Sequence, residues 1–523
     1  MHADPARTGS RGSRVLAYFG PRPLPEPVVD RVATIVLFAA GATGALCFVQ
    51  SFANWFVAIV AVGIVTALYL AQSRIESPRR GVRVLAVVAY VPLVLLHALW
   101  AYLGIAWGSA LAWTVNPGVR VALVLLAIAA LVSRAPAWRR VRIPLVLPAG
   151  IWIVLLLTGW LREEALLRCD DYLAAIRDPG VHVIVPVRAE EGRCTAGSTI
   201  PIARYPRVIW QAPDSDRLVL TTQTANHSQP RLSRFDGTVC ETRPGAADTP
   251  VTCFGEGKAQ GFADAPSSDR LLFASWGHFA PGVRGRLLAF SRSEPLRPIG
   301  AVDSPFSDGE MFFDPDADRA YVFPDEGNRI LPVRVSTMTA EPVIPVRMGP
   351  PGAIHYDAAR HEGIICAPGF ADPAIAGGQH MAIAVRGNPT LSMRALGTNG
   401  LLPWTTVSWG CDFDPQNRRA YVAVPNLGLL SIVDYDSGRV LSNSFLGFGI
   451  RSVLLDRQRH ALFVTNFLRG ELLAVDATTG RELHRWNVGR FVRFASLSRD
   501  GNRVFVGSTL GVVAIALDAL GAN

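Results

Sequence analysis

The sequence lacks the short motifs that mark several large classes of enzyme. It contains no Gly-x-Ser-x-Gly element of serine hydrolases and no His-Glu-x-x-His element of zinc proteases. Lys258 is the only lysine, and Ala259 follows it where a phosphate-binding P-loop requires Ser or Thr. We therefore expect none of these three chemistries, and the sequence assigns neither a catalytic residue nor a cofactor.

The spacing of a metal centre is also missing. No two cysteines form a Cys-x-x-Cys pair, which argues against a structural zinc site. Seven scattered histidines show no ligand spacing and are interpreted as surface or core residues: His227, His278, His355, His361, His380, His460 and His484. We expect no metal site from these residues.

The positive charge of the chain is confined to its first third. The whole sequence has a net charge of +9. Through Arg168 it holds 16 arginines and 6 acidic residues, a net +10, whereas the remainder holds 35 basic and 36 acidic residues, a net −1. The excess accompanies long apolar runs, where basic residues set membrane orientation, so nucleic acid is not expected as a partner.

Five long apolar runs predict a transmembrane segment at residues 31–161, after a cytoplasmic tail at 1–30. The runs are 31–50, 55–72, 84–103, 119–132 and 143–160. Most approach the ~20 residues that an α-helix needs to cross a ~30 Å hydrocarbon core. The fourth run is short and borrows length from the stretch before it. The sequence thus predicts about five transmembrane helices in a lipid bilayer.

The placement of arginine predicts the orientation of these helices. Four arginines precede the first run, four separate the second from the third, and four separate the fourth from the fifth, whereas the alternate connections carry only Arg120. Under the positive-inside rule, the amino terminus is cytoplasmic and five crossings export the rest. We expect a bacterial inner membrane protein with a helical stalk at 162–180, ended by Asp178-Pro-Gly, and a periplasmic domain at 181–523.

Six of the seven cysteines fall in the part predicted to be exported. An even number of cysteines on an oxidising side of the membrane is what disulfides require, although six cysteines allow 15 pairings. Proximity and elimination predict the pairs Cys169–Cys194, Cys240–Cys253 and Cys366–Cys411. Buried free thiols are the alternative.

A recurring phrase divides the exported domain into seven repeats. Its clearest copies are Asp314-Pro-Asp-Ala-Asp-Arg-Ala-Tyr-Val and Asp414-Pro-Gln-Asn-Arg-Arg-Ala-Tyr-Val. An apolar strand precedes the phrase, its Pro, Asp, Asn and Gly residues turn the chain, and a β-branched or aromatic strand returns. The copies begin at Ala212, Ala265, Asp314, Asp357, Asp414, Asp456 and Ser498.

The repeat length predicts a seven-bladed β-propeller. Successive copies begin 42 to 57 residues apart, which is typical of blades of four strands. The last repeat runs out of chain before an outer strand. We expect Thr199–Ala203 to complete that blade and seal the ring, because closure removes exposed sheet edges. Val181–Val187 predicts a further strand.

The last repeats resemble those of the YVTN family of β-propeller proteins. The resemblance rests on Leu462-Phe-Val-Thr-Asn466 followed by Val475-Asp-Ala-Thr-Thr-Gly480, and Ile432-Val-Asp-Tyr-Asp-Ser-Gly438 is similar one repeat earlier. It covers the exported domain only and is best in the last three repeats. It implies the propeller fold and no particular activity.

Aligned repeats place seven residues at one position of the ring, five residues before each repeat begins. This position lies where each inner strand starts near the central channel, and it holds Arg207, Gln260, Gly309, Gly352, Trp409, Arg451 and Arg493. Because blades 6, 7 and 1 are neighbours in a closed ring, Arg451, Arg493 and Arg207 form a predicted arginine arc. Convergent guanidiniums suit a carboxylate, a phosphate or an acidic partner surface. The alternative is three solvated loop arginines paired with local acids.

Acidic residues gather on the opposite side of the predicted ring. They are Asp308, Glu310, Asp314 and Asp316, all from the third repeat. Propeller hydrolases such as lactonases hold a metal through acidic and amide groups from several blades. One blade does not build such a cage, so a metal site is not expected here.

Three functions fit these observations. The leading hypothesis is a membrane-tethered scaffold or sensor whose propeller binds a protein partner or a small anionic ligand without catalysis. The first alternative is a propeller enzyme, either a lactonase-like hydrolase that needs a metal or a quinoprotein-like oxidoreductase that needs a quinone. The second is an accessory subunit of a larger membrane complex, in which the helices make the important contacts.

Overall fold

The computed structural model describes much of the chain beyond residue 169. The described ranges are 170–187, 204–224, 234–244, 250–255, 257–293, 295–324, 327–346, 348, 351–366, 382–387, 391–396, 408–425 and 427–521. Within them, no helix is both long and apolar enough to traverse a bilayer. The cytoplasmic tail and the five predicted membrane spans lie outside these ranges.

The described strands form seven antiparallel sheets, each of which is one propeller blade. The element that precedes them is helix α1 (Asp170–Arg177), followed by strand β1 (Val181–Pro186). Blade 1 contains β2 (Arg204–Gln211), β3 (Leu218–Thr224), β4 (Val239–Thr242) and β5 (Val251–Phe254). Blade 2 contains β6 (Lys258–Ala265), β7 (Arg270–Ala280), β8 (Val283–Ser291) and β9 (Pro298–Ser304).

The next two blades repeat this order from the inner to the outer strand. Blade 3 contains β10 (Asp308–Asp314), β11 (Arg319–Pro324) and β12 (Arg329–Arg334), whose outer edge pairs with the short strands β13 (Thr339–Ala340) and β14 (Ile344–Pro345). Blade 4 contains β15 (Ile354–Asp357), β16 (Glu362–Cys366), β17 (Ala382–Arg386) and β18 (Ser392–Leu396).

The last three blades include the one that closes the ring. Blade 5 contains β19 (Gly410–Asp414), β20 (Arg419–Val424), β21 (Leu429–Asp434) and β22 (Val440–Phe445). Blade 6 contains β23 (Ile450–Asp456), β24 (Ala461–Asn466), β25 (Glu471–Asp476) and β26 (Glu482–Asn487). Blade 7 contains β27 (Ala495–Leu497), β28 (Arg503–Ser508), β29 (Gly511–Ala516) and, as its outer strand, β1. The predicted seven-bladed propeller is confirmed.

Strand β1 seals the ring by pairing with the last strand of the chain. Val181 lies opposite Ile515, and Pro186 lies opposite Gly511. The prediction that Thr199–Ala203 fills this outer position is wrong; those residues lie outside the described ranges. Strand β1 fits the position because Val181 and Val185 are buried in the core that blade 7 shares with its neighbours.

The repeated phrase forms the turn between the inner strand of each blade and the next strand. The inner strands end at Gln211, Ala265, Asp314, Asp357, Asp414, Asp456 and Leu497, within one residue of every predicted repeat start. Oδ1 of Asp414 accepts hydrogen bonds from the backbone N–H groups of Gln416 and Asn417, and the Asp of other copies does the same. Side-chain capping therefore explains why this phrase recurs.

The fifth residue of the phrase takes a left-handed backbone conformation. Its φ lies between 50° and 53° in five blades, at Asp269, Asp318, His361, Arg418 and His460. Such a φ favours residues other than β-branched ones. Two of the scattered histidines are thus turn residues, in agreement with their structural interpretation.

Helix α1 packs against the propeller. Tyr172 and Ala175 of α1 are buried in the core that includes blade 7, and Oδ2 of Asp178 accepts a hydrogen bond from the backbone N–H of Asn487 at 3.0 Å. The described end of the predicted stalk therefore packs against blades 6 and 7.

The two disulfides within the described ranges are the pairs predicted there. Cys240 and Cys253 lie opposite each other on β4 and β5, and Cys366 of blade 4 is bonded to Cys411 of blade 5. Cys169 and Cys194 lie outside the described ranges. One bridge staples a hairpin within a blade, and the other crosses between two blades.

Candidate functional site

The ring position read from the sequence is a β-bulge in four of the seven inner strands. The pairing register shifts between Pro206 and Ile209, between Ala259 and Gly261, between Asp308 and Glu310, and between Ile450 and Val453. A bulge inserts an extra residue that has no partner in the ladder and re-aims its side chain. Arg207 and Arg451 both occupy such bulges.

The side chain of Arg207 contacts three other blades. Its Nη1 donates hydrogen bonds to the carbonyl oxygens of Ala259 at 3.3 Å and Gln260 at 2.8 Å. Its Nη2 donates to Oε1 of Glu310 at 2.9 Å, and its guanidinium lies 4.6 Å from the ring centroid of Phe494. Because these partners belong to blades 2, 3 and 7, the guanidinium of this blade 1 residue lies at the inner edge of the ring.

Arg451 and Arg493 share one aromatic ring. Each guanidinium lies 5.2 Å from the ring centroid of Phe467, and that of Arg451 also lies 4.9 Å from the ring of Trp409. Arg451 is 8% exposed and Arg207 is 3% exposed. The structure thus brings the three arginines of the arc together, with Arg207 and Arg451 buried and Arg493 partly buried, so they are not solvated loop arginines.

The surroundings of the arc oppose positive charge. Burial lowers the pKa of Arg451 well below its usual value, and the charges of Arg493 and Arg207 lower it further. Burial also lowers the pKa of Arg493, whereas the charge of Tyr205 and a hydrogen bond with Tyr205 raise that pKa. Arginine does not lose its proton in proteins, so the lowered pKa values of Arg451 and Arg493 indicate two cations held where charge is poorly solvated.

Glu310 is the acidic partner of the arc. It forms an ion pair with Arg207 at 2.9 Å, and its side chain is 11% exposed. Burial raises the pKa of Glu310, while the charges of Arg207, His355 and Arg451 lower it. Glu310 thus supplies a counter-charge to Arg207 within the arc.

Two hydrogen-bond donors of the arc have no acceptor in the described part of the chain. They are Nε of Arg207 and Nε of Arg493, both buried. An unsatisfied buried donor costs roughly 1–3 kcal/mol, and more when the group is charged. An anion placed between the guanidiniums would accept these hydrogen bonds and reduce the excess charge.

The other predicted acidic residues of blade 3 serve the turn rather than a shared site. Oδ1 of Asp314 caps the turn, and its Oδ2 accepts a hydrogen bond from the hydroxyl of Tyr356 at 3.1 Å. Asp316 lies 3.2 Å from Nε2 of His361. No group of three or more potential metal ligands occurs among the described residues.

The aromatic walls of the arc are the part that sequence reasoning missed. Trp409 stands in the aligned ring position, but only the arginines of that position were given a role. Phe494 directly follows Arg493, and Phe467 directly follows the Leu462–Asn466 motif. Reading the residue after each ring position and after each second strand would have found both.

Comparisons with known proteins assign no function. No family model matches the sequence, so the resemblance to the YVTN family stays a prediction. No curated protein matches the chain either. Hydrazine synthase from Kuenenia stuttgartiensis is similar over 61% of this chain and 97% of its own, with 11% identity and a TM-score of 0.45. A functionally unknown protein from Desulfotomaculum acetoxidans is similar over 51% of this chain and 84% of its own, with 12% identity and a TM-score of 0.38.

Proposed function

We propose that the protein is a binding module whose propeller holds a small anionic ligand, or an acidic group of a protein partner, at the arginine arc. The observation that carries the proposal is the clustering of three guanidiniums, with Arg207 and Arg451 buried and Arg493 partly buried, beside the carboxylate of Glu310. Burying like charges close together is unfavourable, and arginine does not relieve it by deprotonation. A bound anion adds counter-charge to the three guanidiniums.

The chemistry of the arc favours a carboxylate or a phosphate. Guanidinium groups donate paired, planar hydrogen bonds that match the oxygen atoms of both anions. The rings of Trp409, Phe467 and Phe494 exclude water from the guanidiniums, which strengthens charge-assisted hydrogen bonds to a ligand. The arc lies at the end of the channel where inner strands begin, so a ligand enters from that face of the propeller.

The membrane segment completes the proposal. Arginine placement supports a cytoplasmic amino terminus and five helices that anchor the propeller on the periplasmic side of a bacterial inner membrane. In this arrangement the protein presents an anion site to the periplasm as a scaffold or sensor.

The test is anion-dependent stability of the full-length chain in detergent. Phosphate and succinate, compared with sodium chloride at equal ionic strength, should raise the Tm, because a ligand that binds only the folded state stabilises it. Arg451→Met should abolish this rise. Arg439→Met, which removes an exposed arginine of blade 5, should leave it intact. The proposal fails if neither anion raises the Tm, or if the Arg451→Met variant responds as the unaltered protein does.

A further inference from the structure

Two pairs of neighbouring blades carry the same four side chains at matched positions. Blades 3 and 5 each supply an Asp, an Arg and a Tyr from the repeated phrase and the strand after it, and the following blade supplies a His from its own turn. The first set is Asp314, Arg319, Tyr321 and His361, and the second is Asp414, Arg419, Tyr421 and His460. The two sets lie at the turn end of the inner strands, the end opposite the arginine arc.

In blades 3 and 4 the set is satisfied by partners within the protein. Nε of Arg319 donates to Oε2 of Glu341 at 2.7 Å, and Arg334 donates to the other carboxylate oxygen at 2.8 Å. The hydroxyl of Tyr356 donates to Oδ2 of Asp314 at 3.1 Å.

Blades 5 and 6 have no counterparts of Glu341 and Tyr356. In the alignment of blades 3 and 5, whose residue numbers differ by one hundred, Leu441 takes the place of Glu341. Leu441 is 43% exposed. Leu455 stands on the inner strand of blade 6 where blade 4 has Tyr356. As a result, Arg419 makes no ion pair with any described residue, although its counterpart in blade 3 makes one.

A cavity of about 230 Å³ lies at this place. Its polar lining consists of Asp414, Asn417, Arg419, Tyr421, His460 and Thr478. Asp414 is 5% exposed and Tyr421 is 2% exposed, so they form its floor, whereas Asn417, His460 and Thr478 are exposed at its rim. The cavity is therefore open to solvent and has a buried polar base.

The lining offers both donors and acceptors. Burial, and then the charge of Asp414, raises the pKa of Tyr421 to about 12, so its hydroxyl stays protonated and can donate. Oδ2 of Asp414, which lines the cavity, accepts from Nδ2 of Asn417 at 2.7 Å, and a carboxylate oxygen can accept a second hydrogen bond. Arg419 contributes a guanidinium without a carboxylate.

We infer that this cavity binds a small carboxylate that carries hydroxyl groups, such as a sugar acid. Its carboxylate pairs with Arg419 in the role that Glu341 plays for Arg319, and its hydroxyl groups exchange hydrogen bonds with Asp414 and Tyr421. A ligand with only a carboxylate has no hydroxyl group to donate to Asp414, and a neutral sugar has no carboxylate to pair with Arg419. The site is independent of the arginine arc, because the two share no residue.

Binding of D-glucuronate to the full-length chain in detergent tests the inference, with D-glucose and acetate as probes that carry only hydroxyls or only a carboxylate. Titration calorimetry should give a Kd for D-glucuronate at least about tenfold lower than for either comparison probe. Arg419→Ala should weaken binding of D-glucuronate by about tenfold or more. Arg319→Ala, the matched change in blade 3, should leave it unchanged.

The sharpest variant is Leu441→Glu, which restores the carboxylate that blade 3 already has. The change is on the surface and removes no lining group, yet it should weaken D-glucuronate binding about as much as Arg419→Ala, because Arg419 then has an internal partner. The inference is overturned if D-glucuronate does not bind, if D-glucose binds as tightly, or if the Leu441→Glu variant binds like the unaltered protein. Anion-dependent Tm at the arginine arc should persist in every one of these variants.

Discussion

Arg207 of blade 1 and Glu310 of blade 3 form an ion pair at 2.9 Å that passes over the inner strand of blade 2. The same Arg207 side chain donates to two carbonyl oxygens of that intervening strand. Three consecutive blades are thus joined at the channel by one guanidinium. Such a buried, multiply bonded pair costs much more to break on one side than to replace as a whole.

We therefore predict that Glu310→Gln destabilises the propeller by roughly 3–5 kcal/mol, because Arg207 keeps its buried charge and loses its counter-charge. The double variant Arg207→Met/Glu310→Leu should be less destabilised than Glu310→Gln or Arg207→Met alone. Denaturant unfolding followed by tryptophan fluorescence measures the free energy of unfolding of all three variants. Equal losses in the single and double variants would show that the pair contributes only packing.

Removing a disulfide should cost more between blades than within one. Cys366 and Cys411 are 45 residues apart in sequence, and Cys240 and Cys253 are 13 apart. Loop-closure entropy then predicts a loss of about 4 kcal/mol for Cys366→Ala/Cys411→Ala and about 3 kcal/mol for Cys240→Ala/Cys253→Ala. Unfolding midpoints of the two double variants under oxidising conditions give the comparison, and the opposite order would contradict it.

A methyl group at Gly410 should push apart the inner strands of blades 5 and 6. A Cβ there would clash with the carbonyl oxygen of Arg451 and with Cα of Ser452, which are backbone atoms that do not rotate away. We expect Gly410→Ala to cost about 1–3 kcal/mol or more and to weaken anion binding at the arc.

Gly282 provides the control for this change. A Cβ at Gly282 meets no atom within 4 Å, although its φ of +81° is unfavourable for alanine. Gly282→Ala should therefore cost only about 1 kcal/mol, with the anion response of the Tm preserved. An anion response equally weakened in both variants would indicate general destabilisation instead of displacement of Arg451.

The ion pair between Arg319 and Glu341 of blade 3, which has no counterpart in blade 5, should make stability depend on pH in the acidic range. The hydrogen bond from Arg319 lowers the pKa of Glu341 below its usual value of 4.5. Because the folded-state pKa is the lower one, this stabilisation is present above pH 4.5 and is lost as the pH falls through the lowered value. Arg319→Ala should thus lose less stability than the unaltered protein between pH 6 and pH 3.

The size of this effect is small because both side chains are partly exposed, and we expect at most about 1 kcal/mol. Arg419→Ala supplies the comparison, since Arg419 has no such carboxylate. Its acid sensitivity should equal that of the unaltered protein in Tm measurements across the same range. The prediction is contradicted if Arg419→Ala changes the pH dependence of the Tm as much as Arg319→Ala does.

The sequence predicts the propeller well because the turn chemistry is local. The carboxylate of Asp414 caps its own turn within three residues, so the phrase repeats wherever the same turn is made. Alignment on that phrase also picked out the bulge positions of Arg207 and Arg451, since the four bulged inner strands are seven or eight residues long.

Contacts between distant segments were beyond the reach of the sequence. The pairing of Val181 with Ile515 leaves no local signal, because any apolar strand of suitable length can fill an outer position. The same holds for Arg419, whose lack of a carboxylate depends on which residue a neighbouring strand presents to it. Burial of Arg451 was missed because an arginine before a strand is more often solvated.

Closure by β1 also orders events during biosynthesis. The strand leaves the ribosome first among the blades, but Gly511–Ala516, its only neighbour within the sheet, is made more than 300 residues later. Blade 7 therefore has no complete sheet until Gly511–Ala516 has been made, and a nascent chain truncated before Gly511 has no complete ring. The propeller is thus sealed only after all the other blades have been synthesised.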